Sequence, residues 1–373
     1  MEEASSQNAG EFIISFLNEK FAGLYVCFTC ELISLSLSRI FHSSQGFLYG
    51  AEGKITALQG IFQNTEAMAF GAKKAMQPEY KVRFLLGDIW GALETNGGMD
   101  TVEADVLECW LERVDISSIE RIQNSWPEPP AKKQQTIDQK SHHGHKHKDR
   151  GTIEQVAVDK EGPPAPGQHL CEAYVQMVIK KGFVTAEEIR ETIAFSEKEA
   201  ELLKGPRIIA KAWSDPKFKA KLLKDTASAV REAGFGTGKW CDSDPGMRPA
   251  DGEGLGGVII TVENTSKVHN LLVCTLCSCY PKAILGRPPL WYKSSVYRAR
   301  AVREPRKLLE EFGTVIPANT EVRVHDATAD CRYLVLPARP KGTEGWSEEA
   351  LAKIVTRDSM VGVEVLKDNP PKL

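Results

Sequence analysis

Apolar positions recur at helical intervals through two stretches of this chain and alternate like strands farther on. In residues 60–125, Ala67, Met68, Phe70 and Ala72 give way to Phe84, Leu85, Leu86, Ile89, Trp90 and Leu93. After a break at Asn96-Gly97-Gly98 come Val102, Val106, Leu107, Trp110, Leu111 and Val114, with Asp105, Glu108 and Glu112 between them. Apolar residues three and four apart share one helix face, so an all-helical segment is expected here. Residues 169–233 carry the same period. Thr185 and Glu188 stand at capping-box spacing ahead of Ile189, Ile193 and Phe195, and Phe218 to Ala233 reads as one further helix. From Val258 to Val262 the alternation is that of a strand, as it is at Val322-Arg323-Val324 and from Tyr333 to Leu336. Ser347 caps a final helix that runs to Val355.

The intervening stretches divide the chain. Phe21 to Ser38 is apolar except for Glu31 and approaches the length of a membrane span, but Ser, Thr and Gly interrupt it. Glu2, Glu3 and Glu11 occupy the region where a signal peptide carries basic residues. A buried or poorly ordered helix is expected, with a translated non-coding stretch as the alternative, and Cys27 and Cys30 read as core residues. Residues 126–168 are rich in Pro, Gly and charge and form a linker. His142, His143, His145 and His147 within it could chelate a divalent ion, but a solvated joint explains them better. Gly234 to Gly257 reads as a loop in which Cys241, Asp242 and Asp244 serve turns. The expected organisation is an N-terminal extension (1–60), a helical segment (61–125), the linker (126–168) and a main domain (169–373).

Composition narrows the class. Of 373 residues, 42% are hydrophobic and 26% charged, as in ordinary globular proteins, and the net charge of −3 argues against nucleic acid as a partner. No membrane span is expected. Nine cysteines, three of them within Cys274–Cys279, point to a reducing compartment and a metal or redox site, with the cytoplasm as the expected location.

That cluster, Val273-Cys274-Thr275-Leu276-Cys277-Ser278-Cys279, places three sulfurs at C-x-x-C-x-C spacing. Tetrahedral zinc needs a fourth ligand from elsewhere. Alternatively, deprotonated amide nitrogens of Ser278 and Cys279 join the three sulfurs, filling five octahedral positions and leaving the sixth open. Such strong donors suit trivalent cobalt or iron and make the ion a Lewis acid.

The cluster resembles the metal claw of the nitrile hydratase α subunit. Further blocks in order carry the likeness: Val262-Glu263-Asn264-Thr265, Val268-His269-Asn270, Leu285-Gly286, Pro288-Pro289, Trp291-Tyr292-Lys293, Tyr297-Arg298-Ala299-Arg300, Arg303-Glu304-Pro305-Arg306, Arg332 to Pro337 and Val355 to Met360. It covers roughly residues 170–365. Residues 61–125 resemble, more faintly, the helical N-terminal part of the β subunit, through Leu93-Glu94, Glu108 and Trp110-Leu111; nothing after residue 125 resembles that subunit's C-terminal barrel. The resemblance implies a fused β–α arrangement of α+β class. An extended helical arm would join a four-layered α-β-β-α domain, behind an N-terminal all-helical segment.

It also implies a site. Cys274, Cys277 and Cys279 would bind metal through sulfur, and Ser278 and Cys279 through backbone nitrogen, with Cys277 as sulfinic and Cys279 as sulfenic acid. Thr275 is the choice of cobalt members, so cobalt(III) is expected ahead of iron(III). The implied reaction is hydration of a small-molecule nitrile to its amide, with Cys279, Ser278 and Arg332 as catalytic residues. Trp291 is expected in the core ahead of the pocket, and His269, His325 and Asp326 in packing or capping roles. Three departures stand out. Thr95 replaces the β-subunit arginine that meets the oxidised claw, and Val106-Leu107 replaces its tyrosine pair. Lys282 and Arg287 replace Trp and Leu beside the claw, which would narrow the pocket or favour an anionic substrate and makes thiocyanate hydrolase the second enzyme reading. A non-catalytic metal-binding relative is the third. A separate β-type subunit, or self-association through the arm, supplies the implied partner.

Overall fold

Tyr80, Val82 and Phe84 alternate along one strand and meet Val106, Ala104 and Val102 on the next, and all six are buried. This two-residue period, with β-branched and aromatic residues facing one core, shapes the first part of the chain. The computed structural model describes residues 25–28, 46–48, 50–64, 67, 71–72, 75–91, 99–113, 168–185, 187–188, 204–235, 258–276 and 279–371.

Its first half contains β1 (Tyr25–Phe28), β2 (Glu52–Gln63), β3 (Met76–Leu85), α1 (Leu86–Trp90), β4 (Thr101–Leu107) and β5 (Leu111–Arg113). Then follow helices α2 (Gln168–Lys180), α3 (Lys204–Ser214), α4 (Pro216–Lys224) and α5 (Thr226–Glu232), and strands β6 (Val258–Glu263) and β7 (Val268–Val273). The chain continues through α6 (Lys282–Leu285), α7 (Leu290–Lys293), α8 (Ser295–Arg303) and α9 (Pro305–Glu311). It ends with β8 (Glu321–Asp326), β9 (Cys331–Leu336), α10 (Glu348–Ile354) and α11 (Arg357–Val361).

The all-helical expectation for residues 61–125 is therefore wrong for the part described. Helical spacing picks out Val102, Val106 and Leu107 and assigns Asp105 to water. In the structure Thr101, Glu103 and Asp105 form the second face of β4, and every residue of that strand is buried. Buried carboxylates on a strand look like a solvated helix face unless their partners, which come from elsewhere in the chain, are known. Within Phe21 to Ser38, the described residues Tyr25–Phe28 are likewise a strand, paired with β2 and β5.

The two halves share one sheet. Its order is β5-β1-β2-β3-β4-β8-β7, and β4 pairs in parallel with β8, Thr101 opposite Arg323 and Ala104 opposite Asp326. β6 and β9 form a separate parallel pair. Around the join, Asp100 accepts Arg306 Nε and Nη2 at 2.7 Å each and the Val322 N–H at 2.9 Å. Thr101 donates to Glu321 at 2.6 Å, and the Trp90 indole donates to the Val302 carbonyl at 2.8 Å.

Local signals in the second half hold. Thr185 and Glu188 exchange the capping-box bonds, Glu188 N to Thr185 Oγ1 at 3.1 Å and Thr185 N to Glu188 Oε2 at 2.7 Å. The single helix expected from Phe218 to Ala233 is two, because Asp225 leaves helical geometry and caps α5 by accepting from the Ser228 N–H. The strand and helix expectations at Val258, Val322, Tyr333 and Ser347 match β6, β8, β9 and α10. Gly362 closes α11 with φ +92°, and a Cβ there would strike the Asn270 carbonyl. Along α2, Leu170, Tyr174, Val175 and Met177 are exposed. Among the described residues no helix is long and apolar enough to cross a membrane. The linker residues 126–167, Cys30, Cys241, Asp242 and Asp244 lie outside the described residues.

Candidate metal centre at the end of strand β7

Strand β7 delivers the claw. Leu271, Leu272, Val273 and Cys274 are buried, Leu276 is exposed, and Cys279 is half-buried where the chain turns back toward α6. Cys277 and Ser278 lie outside the described residues. Cys274 and Cys279 carry thiols that form no disulfide.

Two groups of bonds hold the loop. Asp326, at the end of neighbouring β8, accepts the Thr275 N–H at 2.8 Å and the Thr275 hydroxyl at 2.6 Å. On the other side, residues of α7 and α8 take its carbonyls. Tyr297 donates to Leu272 O at 2.6 Å, Arg298 Nη1 to Thr275 O at 3.1 Å and Leu276 O at 3.0 Å, and Tyr292 to Cys279 O at 2.9 Å. Burial pushes the Asp326 carboxyl up to about 7, against the pull of both Thr275 bonds. In the sequence Asp326 stands out only beside His325. As strand neighbours the two side chains point to opposite faces, and nothing local in the sequence shows that Asp326 meets Thr275.

The donor chemistry fits a soft-ligand metal. The Thr275 hydroxyl is committed to Asp326, which leaves the claw its thiols, its backbone and the Ser278 hydroxyl. Among the described residues no group of three His, Cys, Asp or Glu side chains is placed to hold a metal ion; Cys277 of the claw lies outside them.

Next to the claw, the far face of β4 buries a second set of ionisable groups. Glu103 meets Lys81 at 3.7 Å, Arg83 through Nε at 2.8 Å, and His325 Nδ1 at 3.3 Å. Burial raises its pKa, but the His325 and Lys81 contacts outweigh this and hold it well below the usual range. Asp105 accepts from Tyr333 at 2.6 Å and Gln59 at 2.5 Å, and burial still pushes it up to about 6. Glu79 is raised as well, first by burial and then by Asp105, with the Cys331 thiol 3.7 Å away. A carboxyl that keeps its proton longer when folded contributes stability below its unfolded pKa and loses it as pH rises through the folded value. Urea unfolding of wild type and Asp105→Asn at pH 4 and pH 7 should show wild type losing more stability over that interval. Parallel pH dependence would mean that Asp105 titrates normally.

The other residues singled out in the sequence divide. Arg332 is half-buried on β9 opposite Ile259, close enough to Asp330 to oppose the rise that burial gives that carboxyl. His269 bonds Gly362 O at 2.7 Å, and burial lowers its pKa to about 4. His325 Nε2 meets Asn270 Oδ1 at 2.8 Å, and burial lowers it likewise to about 4. Both are buried, His269 against the Gly362 carbonyl and His325 between Asn270 and Glu103, as packing residues. Trp291 is 1% exposed among aromatic rings, so it belongs to the core. Lys282 and Arg287 are exposed on the segment after the claw.

Comparison with known proteins agrees with this architecture. The family described as nitrile hydratase, alpha chain, matches residues 167–364, and that described as nitrile hydratase beta subunit, C-terminal, matches residues 38–113. The cobalt-containing nitrile hydratase subunit alpha of Pseudonocardia thermophila is 45% identical over 196 residues, 52% of this chain and 88% of that protein. The low-molecular weight cobalt-containing nitrile hydratase subunit alpha of Rhodococcus rhodochrous is 46% identical over 189 residues, 51% and 84% of the two chains. Thiocyanate hydrolase subunit gamma of Thiobacillus thioparus is 40% identical over 194 residues, 52% and 76%. The β match corrects the expectation that the segment resembles that subunit's helical N-terminal part and that its C-terminal domain is missing. It also removes the alignment that set Thr95, outside the described residues, at the arginine position. The sheet built by the segment that matches the β subunit's C-terminal family thus continues, through the β4–β8 pairing, into the half that carries the claw, and the chain belongs to the nitrile hydratase α-chain family of enzymes, in a fused β–α arrangement.

Proposed function

We propose that this chain hydrates a nitrile to the corresponding amide at a cobalt(III) ion held by Cys274, Cys277 and Cys279 with the backbone nitrogens of Ser278 and Cys279. The observation that carries the reading is the claw loop at the end of β7, whose two described cysteines form no disulfide and whose Thr275 is tied by both polar groups to buried Asp326. The cobalt named in the relatives' descriptions supports the metal, with iron(III) second. When bound, the ion supplies Lewis acidity toward the nitrile or its attacking water. An oxygen on Cys279 takes a proton from that water, the Ser278 hydroxyl orients it, and Arg332 braces the site across the interface with a β-type partner. The water oxygen joins the nitrile carbon, and its two protons end on nitrogen. Cys277 as sulfinic and Cys279 as sulfenic acid, a four-layered α-β-β-α packing of residues 169–373, and a cytoplasmic location belong to the same reading. The exposed Leu170, Tyr174 and Met177 of α2 would be covered by a separate β-type subunit or a second copy.

The test is the full chain produced with cobalt, assayed for amide formation, and the mass of the peptide spanning Cys274–Cys279. Two added oxygens on Cys277 and one on Cys279, with amide produced, support the reading. Plain thiols and no amide, even with a β-type subunit added, leave a non-catalytic metal-binding relative. A second substrate is favoured by Lys282 and Arg287, two exposed cations just after the claw. Thiocyanate is an anion such charges would attract, and turnover of thiocyanate that falls in Lys282→Trp would decide for it. Asp326→Ala is expected to weaken cobalt retention or activity by about 10–100-fold, the usual effect of losing a group that orients a metal site from outside it. Cobalt analysis after dialysis measures this, and unchanged retention and turnover would show that the Thr275 bonds are dispensable.

A further inference from the structure

We infer that Arg298 is a positioning residue for the claw, the charged half of a clamp whose other half is Asp326. This rests on the reading that the claw holds cobalt. From Cys274 to Leu276 the backbone belongs to no helix or strand, so side chains from elsewhere must fix its direction. Asp326 fastens the front of this loop through the Thr275 N–H and hydroxyl. Arg298 Nη1 lies on the opposite, carbonyl side, donating to two successive oxygens, Thr275 O at 3.1 Å and Leu276 O at 3.0 Å.

Two successive carbonyls drawn to one nitrogen restrict the rotation of the peptide unit between them. The Leu276 carbonyl belongs to the peptide bond that precedes Cys277, so the guanidinium fixes the last described peptide group before that cysteine. Tyr297 and Tyr292 secure the carbonyls of Leu272 and Cys279, on either side. Their hydroxyls are neutral, whereas Arg298 brings a charge-assisted donor, the stronger kind. Held toward α7 and α8 in this way, the Thr275 and Leu276 carbonyls are turned from the loop's other side, where Asp326 binds. A guanidinium also opposes the negative charge that three thiolates and two deprotonated amides would gather. The arginine therefore serves the metal through the backbone, without touching substrate.

The test uses the full chain produced with cobalt, in wild type, Arg298→Gln and Arg298→Lys. Circular dichroism and thermal unfolding check the fold, cobalt per chain is measured after dialysis, and the sulfur-to-cobalt absorption band is recorded. Arg298→Gln is expected to retain cobalt about tenfold more weakly, with a displaced band. Arg298→Lys, which keeps charge on a shorter stem, should recover part of both. Wild-type retention and an unmoved band in Arg298→Gln would overturn the inference, as would a loss of cobalt that merely follows unfolding with the band unmoved. If Arg298→Gln does not fold, the decision passes to Arg298→Lys: a displaced band supports the clamp, and a wild-type band and cobalt content overturn it. Wild type without cobalt would instead overturn the metal reading itself, and the clamp with it.

Discussion

Replacing Asp100 with alanine should destabilise the chain by about 3–5 kcal/mol, the cost of stripping one partner from a buried ion pair. Asp100 is 2% exposed and binds Arg306 through two bonds of 2.7 Å. Burial raises the Asp100 pKa, and Arg306 and the Val322 N–H pull it only part of the way back. The intact pair is therefore a weak source of stability, and the penalty lies in breaking it. Alanine leaves the guanidinium in its buried place, still bonded to the Ile316 and Thr320 carbonyls, and deprives the Val322 N–H of its acceptor. Asp100 precedes β4, whereas Arg306 and Val322 belong to the claw-bearing half, so the loss should appear in one cooperative transition of the whole chain. Urea unfolding measures it, and Asp100→Ala with Arg306→Leu should recover much of the loss. A cost under about 1 kcal/mol, typical of exposed pairs, would mean that the halves do not depend on this contact.

Trp291→Ala should cost a similar amount, about 3–5 kcal/mol, because a fully buried indole leaves a cavity that its neighbours fill only in part. Trp291 is 1% exposed, with its ring 4.9 Å from those of Tyr297 and Phe312 and 6.1 Å from that of Tyr292. Tyr297 and Tyr292 are the residues whose hydroxyls hold the carbonyls of Leu272 and Cys279. The cavity should therefore loosen the claw as well as the core, and cobalt retention should fall along with the denaturation midpoint. A folded variant with normal cobalt and a small stability loss would show that the tyrosines keep their positions without the indole. A Trp291 that lined a substrate pocket would instead change substrate affinity with little effect on stability.

Much of the second half was legible in the chain because its signals are local. Three cysteines at C-x-x-C-x-C spacing need no fold to be noticed. Thr185 with Glu188 and Ser347 ahead of Ala350 act within one turn of their own helices. Asp225 carried a comparable signal, a side chain suited to cap a new helix, inside a run that reads as one. The first half misled because the polar face of β4 is buried. Glu103 and Asp105 are partnered by Lys81 and Arg83 from the next strand and by His325 and Tyr333 from more than 200 positions away.

By itself the sequence displayed the claw pattern, because three cysteines and their spacing are properties of six adjacent residues. It also determined the family, through ordered blocks from Val262 to Met360. Only the tertiary structure decided that Glu52–Gln63, Met76–Leu85, Thr101–Leu107 and Leu111–Arg113 are strands, that those strands continue into the sheet of the claw-bearing half, and that Asp326 and Arg298 grip opposite sides of the claw backbone. The physical reason is range. Caps and ligand spacings act over a few residues, whereas a buried charge is stable only beside partners that the fold brings from far along the chain.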